Sequence, residues 1–216
     1  MADINKFLAW MDKSEDLKKE NADDLYEGIF PWGDRRTCMM LNYAVGCLDA
    51  QESYLEVGTF CGGSLAGAMQ GNTAIAQVID PLHHTTAKGT CWDIWNSVID
   101  EQGLRDRVVL HREFCEKVDP EKIPEIGVYF YDGDHNSGHT YEGLKRFESR
   151  LSDRAIVIVD DYLIGGGVHE PFPGHELDTK LPVKSDTDRW VAETDAATLV
   201  TVTSWFNAQA VIIYER

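Results

Sequence analysis

Between residues 54 and 160 the chain alternates short apolar runs with stretches of helical spacing, and this rhythm limits the fold more than any other feature. Runs at 54–58, 74–80, 107–110, 128–132 and 155–160 read as strands, while 62–70, 92–102 and 141–151 read as helices. The unbroken Ala155-Ile156-Val157-Ile158-Val159 has the pattern of a strand buried on both faces. Such strands joined by helices predict a parallel sheet with helices on both sides, because each crossover carries the chain back over one face. The tail differs. Runs at 198–203 and 208–214 are separated by a turn too short for a helix, which predicts an antiparallel hairpin closing the sheet edge.

The first fifty residues carry helical rather than strand signals: Phe7, Trp10 and Met11 recur at helical spacing, and a second apolar stretch covers 38–48. Between them Glu27-Gly28-Ile29-Phe30-Pro31-Trp32-Gly33 reads as a loop that either packs or covers a pocket. No repeat, low-complexity tract or linker divides the chain. The expected organisation is one domain over 1–216, with a helical extension or lid at 1–50 and an α/β core at 54–216.

Charge narrows the partners. Lys and Arg total 20 against 37 Asp and Glu, a formal charge of -17. So acidic a surface repels phosphate backbones, whose binding depends on Lys and Arg displacing counterions, so nucleic acid is not an expected partner. No apolar stretch reaches the roughly 18–20 residues that span a bilayer, so no membrane partner is expected either. The charged N-terminal segment lacks the apolar core of a signal peptide, and the five cysteines show no C-x-x-C pair. Reduced thiols and a cytoplasmic location are the expectation.

Chemistry concentrates at the ends of the predicted strands. Glu56-Val57-Gly58-Thr59-Phe60-Cys61-Gly62-Gly63-Ser64 follows a strand and opens a helix, the place where glycines let backbone approach a ligand. It is not a dinucleotide loop, since Phe60 stands where the second glycine belongs, nor a phosphate loop, which ends in Gly-Lys-Ser/Thr. The carboxylate of Glu56 repels pyrophosphate and suits a ligand with an ammonium group. A plain tight turn is the alternative. Asp80 ends the second strand, placed either to accept from ribose hydroxyls or to form a turn. Asp132 ends the fourth strand and Asp160-Asp161 the fifth, on tips about 5 Å apart if the strands are neighbours. Three carboxylates that close favour a shared Mg²⁺, with solvated loop acids as the alternative. His135, three residues past Asp132, is a candidate general base or a surface histidine.

These segments, with Tyr131-Asp132-Gly133-Asp134-His135 and Val159-Asp160-Asp161-Tyr162, resemble class I S-adenosylmethionine-dependent methyltransferases, closest to the small metal-dependent O-methyltransferases of catechol and macrocin type. The resemblance covers roughly 54–163, and the spacing of Asp132 to Asp160-Asp161 is its most specific part. It implies a Rossmann-like, mostly parallel sheet with a terminal antiparallel hairpin. It implies that Glu56 and Gly58 hold the methionine part of the cofactor, with Thr59, Phe60, Gly62, Gly63 and Ser64 nearby. Asp80 then binds the ribose, and Phe114, Cys115 and Glu116 border the adenine. Asp132, Asp160 and Asp161 hold the divalent metal, and Asp132 with His135 serves catalysis. His135 falls where catechol-type enzymes place a lysine base; Glu113 and Gly165-Gly166-Gly167 are further departures. The implied reaction is O-methylation of a small hydroxylated molecule. Residues 1–50 and 164–195 are the expected source of the acceptor pocket, with Trp32, Tyr162 and Trp190 as candidates to line it. A homodimer is also implied. Metal-independent N- or C-methylation and a non-catalytic binding protein on the same fold remain open at this level.

Overall fold

The computed structural model describes residues 1–17, 35–163, 181–203 and 208–216. The loop at 27–33, including Trp32, and Gly165-Gly166-Gly167 lie outside the described residues. Seven strands make one sheet: β1 (Ser53–Val57), β2 (Ile75–Ile79), β3 (Val108–His111), β4 (Ile126–Tyr131), β5 (Leu151–Val159), β6 (Ala197–Val202) and β7 (Ala210–Glu215). Their order is β3-β2-β1-β4-β5-β7-β6, with the first five mutually parallel and β7 antiparallel to both neighbours. The terminal hairpin therefore closes the edge as expected, but its last strand is slotted inside. The sequence carries the reason: Ala210-Val211-Ile212-Ile213-Tyr214 is buried throughout, whereas β6 alternates buried and wet positions and makes the edge.

The period of two along each strand sorts the core into two layers. Tyr54, Val128, Phe130, Ile156, Ile158, Val211 and Ile213 point to one face. There they meet α1 (Ile4–Leu17), α2 (Arg35–Val45), α3 (Gly63–Met69) and α4 (Cys91–Glu101) through Phe7, Met40, Leu41, Leu65 and Trp95. Leu55, Val57, Tyr129, Tyr131, Val157, Val159 and Ile212 point the other way. They meet α5 (His139–Phe147) and α6 (Pro182–Glu193) through Leu144, Phe147, Val183 and Trp190.

Two local readings change. The third predicted helix stops at Phe147, a 3-10 turn covers Glu148–Arg150, and Leu151 already belongs to β5. Helix α6, absent from the sequence reading, does carry a signal: Pro182 at its start and a buried row of Val183, Asp186, Thr187 and Trp190 at helical spacing. No helix among the described residues is long and apolar enough to cross a membrane.

Candidate active site

Strand order reverses at β1, which leads to β2 on one side and takes β4 on the other. Ligands of open α/β sheets bind at such a switch point, outside the carboxyl ends of the strands. Backbone bonds lock the tips together here. Gly58 N donates to Ile79 O at 2.9 Å, Asp132 N to Val57 O at 2.8 Å and Asp160 N to Tyr131 O at 2.9 Å. Gly58, at φ +84, permits the closest approach: a Cβ there would lie 1.9 Å from the Asp132 carbonyl oxygen.

The bend after Gly58 is held by Asp80. Its Oδ2 accepts from the Thr59 and Phe60 N–H groups, each at 2.9 Å, and its Oδ1 from Leu82 N–H at 2.6 Å. An ionised carboxylate offers about four acceptor positions, so these three bonds leave room for one more. The clamp accounts for Phe60 adopting φ 49 in a loop that reads as lacking a glycine. Leu82, Asp161 and Ala208 also have left-handed backbone, and all four lie at strand ends on this one rim of the sheet. Backbone strain of this kind gathers where surrounding structure fixes a functional geometry.

Glu56 is fully buried on β1. Tyr54 donates its hydroxyl to Oε2 at 2.6 Å, and Ser64 donates to Oε1 at 2.8 Å. Burial pushes the carboxyl up to about 7, while these hydroxyls pull the other way. A buried acid at the neutral point is completed by a cationic ligand group, which restores what desolvation removes.

Across the switch point, Asp132, His135 and Asp161 converge. The His135 Nε2 is 3.5 Å from Asp132 Oδ1 and 3.1 Å from Asp161 Oδ2, and one donor atom from each residue falls within 4.8 Å of the others. Burial draws His135 down, but the carboxylates of Asp132, Asp161 and Asp160 outweigh it and hold the imidazole up at about 9. Asp160 is the third acid of the expected triad. Its Oδ1 accepts from Gln209 Nε2 at 2.7 Å and from Asp161 N–H at 2.9 Å, and it is not among the converging donors. Burial, then the charges of Asp132 and Asp161, raises its carboxyl well above the usual range.

A row of rings leads from the bend to the end of β3. Phe60 lies 6.0 Å from His84, His84 4.1 Å from His83, and His83 5.5 Å from the half-exposed Phe114. Cys115 follows, its thiol pushed up to about 12 by burial. The sequence reading names both ends of this row and takes the adjacent histidines as weaker candidates that could line the pocket; here they connect the two ends. Trp190 is placed differently from expectation. It is fully buried in the second core layer and donates Nε1–H to Glu148 Oε2 at 2.9 Å, so it packs α6 rather than lining a pocket. Tyr162 is likewise buried, with its hydroxyl on Asp188.

A family model described as a methyltransferase domain matches residues 55–162, half of the 216-residue chain. The chain belongs to this methyltransferase-domain family. Among solved structures, it is similar to the O-methyltransferase TomG from Streptomyces achromogenes, determined with SAM, at 17% identity, over 85% of this chain and 82% of that one, with a TM-score of 0.64. It is also similar to an O-methyltransferase from Bacillus cereus in complex with SAH, at 15% identity over 98% and 91% of the two chains, TM-score 0.63. The SAH-bound Podospora anserina methyltransferase PaMTH1 gives 15% identity over 99% and 87%, TM-score 0.61. At such identities the likeness establishes the fold. A comparison with curated protein sequences finds no match.

Proposed function

We propose that this chain is an S-adenosylmethionine-dependent O-methyltransferase that uses a divalent cation and acts on a small hydroxylated molecule. The observation that carries the reading is the meeting, at one switch point, of a buried acid on a glycine bend with a His–carboxylate cluster of metal-ligand spacing. In this reading Glu56 accepts the ammonium group of the cofactor, and the remaining acceptor position of Asp80 takes a ribose hydroxyl. The ring row from Phe60 to Phe114 flanks the base. Asp132 and Asp161 fit a cation, because two carboxylates this close repel unless a positive charge sits between them. Bound cofactor supplies an electrophilic methyl group, and a bound cation lowers the pKa of the acceptor hydroxyl.

The protein's own part is placement. Glu56 and the ring row fix the donor, and the cluster at Asp132 fixes the acceptor, so that the two meet in line; ideal proximity is worth about 7–11 kcal/mol of barrier. One observation favours a metal-independent variant: His135, held up at about 9, is itself a cation between the two carboxylates at neutral pH. The test is calorimetric titration with S-adenosylhomocysteine, followed by transfer of labelled methyl to a panel of catechols, sugars and other polyols with and without EDTA. We expect binding, and turnover that EDTA abolishes and added divalent cation restores. Absent binding would overturn the cofactor assignment, and undiminished turnover in EDTA would overturn the metal.

A further inference from the structure

Resting on the metal-dependent reading above, we propose that His135 is a direct nitrogen ligand of the cation, and that it tunes this centre to a borderline ion such as Mn²⁺ or Co²⁺ over Mg²⁺. The resemblance gives His135, three residues past Asp132, the role of a base; the geometry points elsewhere. A base must present its nitrogen to the substrate. The His135 Nε2 is instead shut off from solvent and turned into the cluster, 3.1 Å from Asp161 Oδ2 and 3.5 Å from Asp132 Oδ1.

Those separations are the ones a shared ion requires. With ligand bonds of about 2.0–2.1 Å, neighbouring donors stand roughly 3.0 Å apart in an octahedron and 3.4 Å apart in a tetrahedron. The third carboxylate, Asp160, has its Oδ1 engaged by Gln209 and the Asp161 backbone, and the donors that converge among the described residues are two oxygens and one nitrogen. An all-oxygen set is what Mg²⁺ takes, whereas imidazole favours ions further along the first transition row.

The loop that carries the imidazole is held at both ends. Tyr131 donates its hydroxyl to the His139 and Asp134 carbonyls, at 3.1 and 3.3 Å, and Asp186 accepts from the Gly138 N–H at 2.7 Å. A ligand so braced loses little freedom when the ion arrives, the condition under which a metal site is selective.

The experiment uses the full chain with Mn²⁺ and Mg²⁺ alone as probes. Calorimetry gives both affinities, and pulsed EPR of the Mn²⁺ form reads the ¹⁴N coupling of a bound imidazole. We expect ¹⁴N coupling in the wild type and its loss in His135→Asn, with the preference for Mn²⁺ over Mg²⁺ falling about tenfold or more, as loss of a ligand contact does. Mn²⁺ bound without ¹⁴N coupling in the wild type, a result needing no variant, would overturn the ligand role and leave the metal reading standing. Binding of neither ion would overturn both.

Discussion

Replacing Glu56 with glutamine removes the charge from a fully buried carboxyl while keeping its shape. The two hydroxyls that donate to it, from Tyr54 and Ser64, can each rotate to accept from an amide instead. The folded protein raises this group from 4.5 to about 7. Its folded value lies above the unfolded one, so the native chain holds the proton more tightly between those limits and stability falls as pH rises through that window. Above about pH 7 the whole penalty stands, worth about 3 kcal/mol at about 1.4 kcal/mol per pH unit. Glu56→Gln escapes it. For a domain of this size that is a gain of about 6–12 °C in melting temperature at pH 8, vanishing by pH 4.5. Thermal melts of both proteins at the two pH values check this, with S-adenosylhomocysteine titration alongside, where the variant is expected to bind at least about tenfold more weakly for want of the charge. The site would then be more stable without the group that serves its ligand. A melting difference that is the same at both pH values, or a loss of stability at pH 8, would refute the reasoning.

Gly58→Ala sets a methyl against the Asp132 carbonyl in a left-handed backbone, and is expected to cost roughly 3–5 kcal/mol in urea unfolding; a loss under 1 kcal/mol would mean the tips part easily. Asp186→Ala leaves the Gly138 N–H without its acceptor, at an expected cost of about 1–3 kcal/mol. It should also speed amide exchange at Gly138; unchanged exchange would show that α6 does not anchor the loop bearing His135.

Much of the fold is legible because two-sided burial writes itself as continuous apolar runs, and β4, β5 and β7 are of this kind. The hairpin followed from a turn too short for a helix. Helix α6 was overlooked because its buried row includes Asp186 and Thr187, polar residues that break an apolar pattern yet are buried by their hydrogen bonds. Of the site, the glycine bend, Glu56, Asp80 and the acids at the strand ends could all be named in advance, since strand ends are where such chemistry must sit. Their partners could not. That Asp80 spends its carboxylate on the bend, that Asp160 turns to Gln209, and that Trp190 fills the second core layer depend on residues tens of positions away.

The sequence alone determined which side chains reach the rim of the sheet, because side-chain direction along a strand is a local property with a period of two. Only the tertiary structure decided which of them meet. Gln209 immediately precedes β7, the strand inserted beside β5, and His135 comes from a loop tied down by α6; both claims on the aspartates arise from packing between segments that no local pattern links. A cluster of like charges is settled by distances of a few ångströms, and those exist only once the strands have been brought side by side.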